Sequence, residues 1–406
     1  MYLRFAWRYF RSPKSTTAIS VIAWTSVVAI AVGTAALLLV LSVFNGFEGL
    51  VKSLYSDFYP EIRVVSAQGK FIEVSDSIFN RLASWPGVAT LSRTVEEKAI
   101  LQNRENQSVI QLKGVDDRYA GVSGLPARIY HGSFSLGTKE SPAIVLGAGV
   151  EDALGVQAGR EVGLLRAFVP RRGGGKSLSA ENIQPADLYA SGSFIIQQDF
   201  DEQYGLTRYD FLRDALGLSA QSVSSLELKL SDSRRVEAVK EELRDFLGAS
   251  FLVEDRYEQN RSLYGVMNAE RWIVYGVLSL ILVVGAFTMI GALTMLILEK
   301  QTDIQILHAM GAEAGVIRQI FLTEGLLLAG VGAGLGLSLA GLLIWAQQTF
   351  HIIPLGGGSF LIDYYPVEWR AMDGLLIGGT VFVIAAIASW LPASRAAARV
   401  QSLRTQ

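Results

Sequence analysis

The sequence predicts a polytopic α-helical membrane protein with four transmembrane helices and a large extracytoplasmic α+β domain that contains an inserted β-rich subdomain. Three observations lead to this class. Half of the 406 residues are hydrophobic and the mean hydropathy is +0.32, too apolar for a wholly soluble chain. Four charge-free runs are each long enough to cross the hydrocarbon core, which takes about 20 residues of helix. The long segment 48–271, between the first and second runs, has the mixed charge and turn chemistry of a folded domain.

The first run, 15–47, holds 33 residues without a charge and follows Arg4, Arg8, Arg11 and Lys14. A cleaved signal peptide would have an apolar region of only about 7–15 residues, so the run reads as an uncleaved anchor. In residues 1–14, Arg4, Arg8 and Arg11 share one helical face while Leu3, Ala6, Trp7 and Phe10 share the other. This is the pattern of an amphipathic helix lying at headgroup depth. The remaining spans are expected at 272–298, 316–348 and 374–394. In the third of these the charge-free run begins near Gly325 and reaches Gln347, and a charge at a span's centre costs about 2.5–3.5 kcal/mol on insertion scales, which is why the charge-free runs are kept clean.

Orientation follows the basic flanks. Arg4, Arg8, Arg11 and Lys14 precede the first span, Lys300 lies between the second and third with Arg318 at the far edge, and Arg395, Arg399 and Arg404 follow the fourth. These segments, with 299–315 and the tail 395–406 among them, are expected in the cytoplasm, and both termini with them. The loop 349–373 carries only Arg370 among basic residues and is expected outside, as is the domain 48–271.

That domain opens with alternation in EIRVV, a short helix in DSIFNRLASWPGV that stops before Pro86 and Gly87, and an extended SVIQLKGV. It closes with SLELKL, a charged helix over 233–247 and an extended SFLVEDRY. The two ends, 48–114 and 225–271, form one α+β framework, and the glycine-rich middle, 115–224, reads as an inserted β subdomain. At about 1.5 Å per residue the uncharged 33 residues alone make a helix of roughly 50 Å, so the first two spans are expected to extend outward as a stalk.

Composition and motifs exclude several chemistries. The chain has no cysteine, and its three histidines, His131, His308 and His351, are far apart, so neither thiol chemistry nor a His-rich metal centre is expected. The 36 basic and 38 acidic residues give no basic excess for nucleic acid. PRRGGGKS, from Pro170 to Ser177, ends like a phosphate loop, but Pro170 stands where the first glycine is required and no helix pattern follows. It reads instead as a basic exposed loop suited to a partner, with Arg171, Arg172 and Lys176 as the contacts. No catalytic constellation stands out, so the chain alone is not expected to be an enzyme.

Three stretches carry a family resemblance: SVFNGF at 42–47 after RYFRSPK, EKQTDIQILHAMGA at 299–312 with FLTEG after it, and LPASRAAARVQSLR near the end. With them the chain resembles the FtsX-like or MacB-like superfamily of ABC permeases, and within it the lipoprotein-releasing permeases of LolC and LolE type. FIIQQDFDEQY, from 194, is similar to that branch as well, whereas the segment before it departs from the family's chaperone-contacting hairpin. The resemblance implies a permease subunit in the bacterial inner membrane that pairs with a second copy or a paralogue and works with a cytoplasmic ABC ATPase subunit. ATP and Mg would be bound by that ATPase, with no cofactor on this chain. The cargo implied is a lipoprotein, extracted from the outer leaflet and handed to a periplasmic chaperone. Two other roles in the superfamily remain as alternatives: a mechanotransmitting permease that regulates a cell-wall hydrolase or sensor, and a macrolide-type efflux permease, which usually carries a fused ATPase.

The resemblance assigns ATPase coupling to Glu299, Asp303, Ile304, Leu307, His308, Met310 and Gly311. Acidic residues suit the start of such a helix, and Gly311 suits the left-handed residue that ends it. For the lipoprotein cavity it points to Phe44, Asn45 and Phe47 on the first span and Tyr264 and Met267 at the second, a flexible methionine suiting variable acyl contacts. Gly330, Gly332, Gly334, Gly336 and Gly341 on the third span include G-x-x-x-G spacings expected to admit another span of the same chain.

Overall fold

The computed structural model describes residues 17–160, 164–170, 183–355 and 364–402. The expected interfacial helix over 1–14, and Arg171, Arg172 and Lys176, lie outside these residues. The chain forms two compact units, one of Val51–Tyr264 and one of the segments on either side of it. In order the elements are α1 (Thr17–Phe58), β1 (Ile62–Ser66), β2 (Ile72–Glu73), α2 (Asp76–Ala83), β3 (Val88–Asn103), β4 (Asn106–Val115), β5 (Ile129–Gly132), β6 (Ala143–Gly147) and α3 (Ala148–Leu154). They continue with β7 (Leu164–Pro170), β8 (Ile183–Phe194), β9 (Tyr204–Arg208), α4 (Tyr209–Ala215), β10 (Ser222–Val223), β11 (Ser225–Leu230), α5 (Val236–Leu247) and β12 (Phe251–Asp255). The helices α6 (Arg261–Glu299), α7 (Gln301–Ala309), α8 (Ala314–Phe350) and α9 (Ala371–Ser402) complete the chain.

In the large unit two β-α-β stretches, β1-α2-β3 and β11-α5-β12, interlock as an antiparallel sheet in the order β12-β1-β11-β3. Phe79 and Leu82 of α2 and Val239 and Leu243 of α5 are buried in the same core cluster as Ile62, Val64, Leu226 and Leu228 of the strands. Ser75 caps α2, its side chain accepting the Ile78 N–H at 3.4 Å.

The expected boundary between framework and insert, at 114/115, falls inside a continuous sheet. The far half of β3 pairs with β4, β4 with β9, β9 with β6, β6 with β8, β8 with β7, and β7 returns to β3 through Ile100 and Phe168. The circuit is a closed barrel of these strands, and two of them, β3 and β4, begin before residue 115. Closure leaves no strand edge open around the circuit. Leu101, Ile110, Ile144, Leu146, Leu165, Ala167, Val169 and Leu188 fill its core, and alternate residues such as Ile100, Val109, Leu164 and Tyr189 face outward.

In the membrane unit four helices are long and apolar enough to span a bilayer: Val21–Phe58, Arg261–Glu299, Ala314–Phe350 and Ala371–Ala398, among the described residues. Small residues bring them close. A Cβ on Gly336 would lie 2.4 Å from the Ala31 carbonyl oxygen, and one on Gly332 would lie 2.9 Å from that of Val27. Those two glycines of α8 therefore form its contact with α1, whereas Gly330, Gly334 and Gly341 meet nothing within 4 Å. Gly325 packs in the same way on Ser389 of α9.

Candidate functional site

The short helix α7 is set off from α6 by Lys300, whose backbone leaves the helical pattern at φ −86 and ψ 14. Glu299 therefore ends α6 and does not begin the short helix. Lys300 reaches Asp303 at 3.4 Å, and Asp303 lies in the first turn of α7, where a carboxylate offsets the helix dipole. At the other end Gly311 takes φ +95, a left-handed conformation open to glycine, and its N–H bonds the His308 carbonyl at 2.9 Å. The His308 ring faces the Ala312 carbonyl at 3.2 Å, so this imidazole is held against the turn that follows the helix.

The residues assigned to coupling differ in burial. Ile304 points inward, only 8% exposed, in a cluster with Ile297, Ile317, Phe321, Ala393 and Ala396. Its side chain anchors the helix and is not available to a partner, which corrects the expectation. Leu307 and His308 are half-buried. The outward apolar residues are Met310, 78% exposed, and Ile306, 54% exposed, one helical turn apart. The sequence does not single out Ile306, because the apolar face of a short helix beside a membrane core marks the side that packs inward, here Ile304, and not the exposed side. The terminal L-P-A-S-R-A stretch supplies the seat, since Ala393 and Ala396 are the small residues on which Ile304 rests.

The SVFNGF stretch forms a clamp. Asn45 is fully buried, and its Nδ2 donates to Asp373 Oδ2 at 2.6 Å and to the Glu368 carbonyl at 3.3 Å. Asp373 Oδ1 in turn accepts from Arg271 at 2.6 Å, which joins α1, α9 and α6 in one network. The Glu368 N–H bonds the Ser42 carbonyl at 2.9 Å, and Arg370 reaches Glu48 at 3.0 Å. A Cβ on Gly46 would lie 2.3 Å from the Pro366 carbonyl oxygen, so only glycine admits that backbone. Phe47 meets Tyr365 edge-on at 5.9 Å, and Phe44 and Met267 are half-buried. Asn45 is thus a structural tie with no exposed surface to offer a cargo, contrary to the expectation. Tyr264 belongs to the large unit, stacked on Tyr257 at 5.2 Å.

Within the large unit FIIQQDFDEQY builds a socket for the end of α1. Phe200 stacks on Phe58 at 4.4 Å and meets Tyr55 at 5.0 Å, and Tyr204 meets Phe58 at 4.6 Å. Arg256 donates to the Tyr59 carbonyl at 3.2 Å and Gln259 to that of Pro60 at 3.2 Å, which ties the segment entering α6 to the segment leaving α1. Beside the socket Lys113 of β4 sits 2.7 Å from Glu227 of β11 and 3.2 Å from Glu96 of β3, with its ammonium 5.0 Å from the centre of the Phe58 ring. Burial works against that charge, but Glu227 and Glu96 outweigh it and hold the Lys113 pKa well above its ordinary value. Asp201 accepts the Ile196 N–H at 2.9 Å, and burial pushes its pKa up to about 6.

Membrane-length helices, a domain between the first two of them in the chain, and a short anchored helix between the second and third make up a polytopic membrane protein. Residues 23–246 match the MacB-like periplasmic core domain family and residues 275–399 match the FtsX-like permease C-terminal domain. The chain belongs to the permeases of this FtsX-like and MacB-like family. The lipoprotein-releasing system transmembrane protein LolE of Haemophilus influenzae is 25% identical over 404 residues, covering 97% of this chain and 96% of that protein. The lipoprotein-releasing system transmembrane protein LolC of Xylella fastidiosa is 26% identical over 402 residues, covering 97% and 95%. Among solved structures, the periplasmic region of MacB from Actinobacillus actinomycetemcomitans covers 53% of this chain and 98% of its own at 12% identity, with a TM-score of 0.36.

Proposed function

We propose that the chain is a permease subunit of an ATP-driven transporter that extracts lipoproteins from the outer leaflet of the bacterial inner membrane. The observation that carries this reading is the end-to-end match, over 97% of the chain, to proteins named as lipoprotein-releasing permeases. In this reading a second permease copy or paralogue completes the membrane part, and a cytoplasmic ATPase subunit binds ATP and Mg. Both termini and α7 face the cytoplasm, and the large unit faces the periplasm. The ATPase docks against α7 through Ile306 and Met310, with Asp303, Leu307, His308 and Gly311 shaping the contact and Ile304 fixing the helix to the span bundle. The cargo's acyl chains pass Phe44, Phe47 and Met267. Arg171, Arg172 and Lys176 offer positive charge to the periplasmic chaperone.

The chemistry asked of such a subunit is mechanical. Each buried methylene is worth about 0.8 kcal/mol, so several acyl chains leave the bilayer at a useful rate only when an outside source of free energy drives them. Within the large unit the aromatic contacts of Phe58 and the hydrogen bonds from Arg256 and Gln259 hold residues 58–60 firmly in place. The test is to co-purify the chain with its ATPase, reconstitute the complex with a lipoprotein in vesicles, and add a periplasmic chaperone. ATP-dependent transfer of lipoprotein to the chaperone is the expected result. ATP hydrolysis without any transfer would overturn the proposal.

A further inference from the structure

Beside the clamp, Arg271, Trp272, Tyr275, Met372, Asp373 and Leu376 line a cleft of about 210 Å³. Its depth in the bilayer is set by sequence. Arg271 is the last charged residue before the run 272–298, and Asp373 the last before 374–394, so the cleft lies where hydrocarbon gives way to headgroups. Trp272 and Tyr275, in edge contact at 5.8 Å, suit that interfacial level.

The charges in the cleft are not equivalent. Asp373 is 3% exposed and both its oxygens are occupied, one by Arg271 and the other by Asn45. Arg271 keeps 31% of its side chain exposed and spends one N–H on Asp373. A guanidinium has five N–H donors in a fixed fork, so Asp373 orients this group without saturating it. The donors left over face the open cleft, where they can take an anionic group that enters from the headgroup layer. Trp272, 56% exposed, Met372, 73% exposed, and Leu376, 39% exposed, give the cleft apolar walls that open outward.

From this geometry we infer that the cleft is a phospholipid site: Arg271 takes the lipid's phosphate, and the acyl chains run along Trp272, Met372 and Leu376. The cleft is smaller than the roughly 300–1,000 Å³ that encloses a whole drug-sized ligand, so only the headgroup end enters. Nearby Glu270 is exposed and does not line it. The site requires only that the chain lie in a bilayer, and it stands whatever the cargo.

Native mass spectrometry of the full-length chain in detergent tests the inference, with phosphatidylglycerol, the diacylglycerol with the same acyl chains, and inorganic phosphate as probes. The wild type is expected to retain phosphatidylglycerol and not diacylglycerol, with inorganic phosphate displacing it poorly. R271Q should weaken retention about tenfold or more, the loss of a charged hydrogen-bonding partner. Because R271Q strands the Asp373 carboxylate, R271Q/D373N is the paired variant, in which Asn45 keeps an acceptor and no charge is buried alone. W272A should weaken the lipid and leave any phosphate binding unchanged. Equal retention of phosphatidylglycerol by R271Q/D373N and wild type would overturn the proposal, as would equal binding of diacylglycerol. Tight binding of inorganic phosphate that the lipid fails to displace would show a free-phosphate site and overturn it as well.

Discussion

At one end of the membrane unit α1, α6 and α9 meet through Asn45, Arg271 and Asp373; at the other, α7 rests on the bundle through Ile304 on Ala393 and Ala396. Along α6 these places, Arg271 and Ile297, are about 39 Å apart at 1.5 Å per residue, so they belong to opposite faces of the bilayer. The first junction is directional: hydrogen bonds and an ion pair fix which atoms face which, and a glycine admits backbone against backbone. The second is a peg in a small-residue seat, where fit and not direction holds the helix. The peg leaves the other side of α7 free to present Ile306 and Met310. In the proposed transporter the directional tie would keep its geometry while cargo passes, and the pegged helix would receive the push of the ATPase.

Removing the acceptor at the first junction should have the largest effect. Asp373→Ala leaves Arg271 and the Asn45 amide without their common partner, and a loss of about 3 kcal/mol is expected in thermal or denaturant unfolding of the reconstituted chain. A melting temperature equal to wild type would show that the tie is ornamental. Ile304→Ala should follow, with about 2 kcal/mol lost to the cavity on Ala393 and Ala396, read as proteolytic opening of the segment 299–313. Gly46→Ala forces Pro366 away from α1 and should cost about 1–2 kcal/mol, whereas Gly334→Ala, in open space, should cost nothing measurable.

Asp201 in the large unit gives a smaller effect with a defined pH course. Its folded pKa of about 6 lies above the ordinary 3.8, so the folded state holds the proton more tightly and this contribution to stability is lost as pH rises from 4 through 6. Asp201→Asn keeps an acceptor for the Ile196 N–H and should stabilise the large unit at pH 7 by about 1 kcal/mol, after allowance for its partial exposure. The gain should vanish near pH 4. A gain that persisted at pH 4 would assign the effect to something other than titration.

The spans, their order and the interposed short helix were legible because charge-free runs are imposed by the bilayer and need no tertiary knowledge. The barrel was only half legible. Alternation revealed β3 and β4 as strands, but nothing local says that the far half of β3 leaves the framework to pair with β7, a contact between Ile100 and Phe168. Asn45 was legible as a marked residue and illegible in its role, because its partner Asp373 is 328 residues away. The usable signal was that Arg271 and Asp373 stand at the rims of two charge-free runs, where lone opposite charges are costly unless they pair. On α7 the apolar pattern identified the helix, but its inward and outward residues could be separated only once α9 had supplied the seat.

The proposed docking of the ATPase on the outward face of α7 is tested by co-purification of the ATPase with the double variant I306D/M310D, alongside ATP-driven lipoprotein release. The double variant is expected to melt as wild type does, because both residues are exposed, but to lose the ATPase and release lipoprotein only at the level seen without ATP. A double variant that retains the ATPase and releases lipoprotein at the wild-type rate would contradict it.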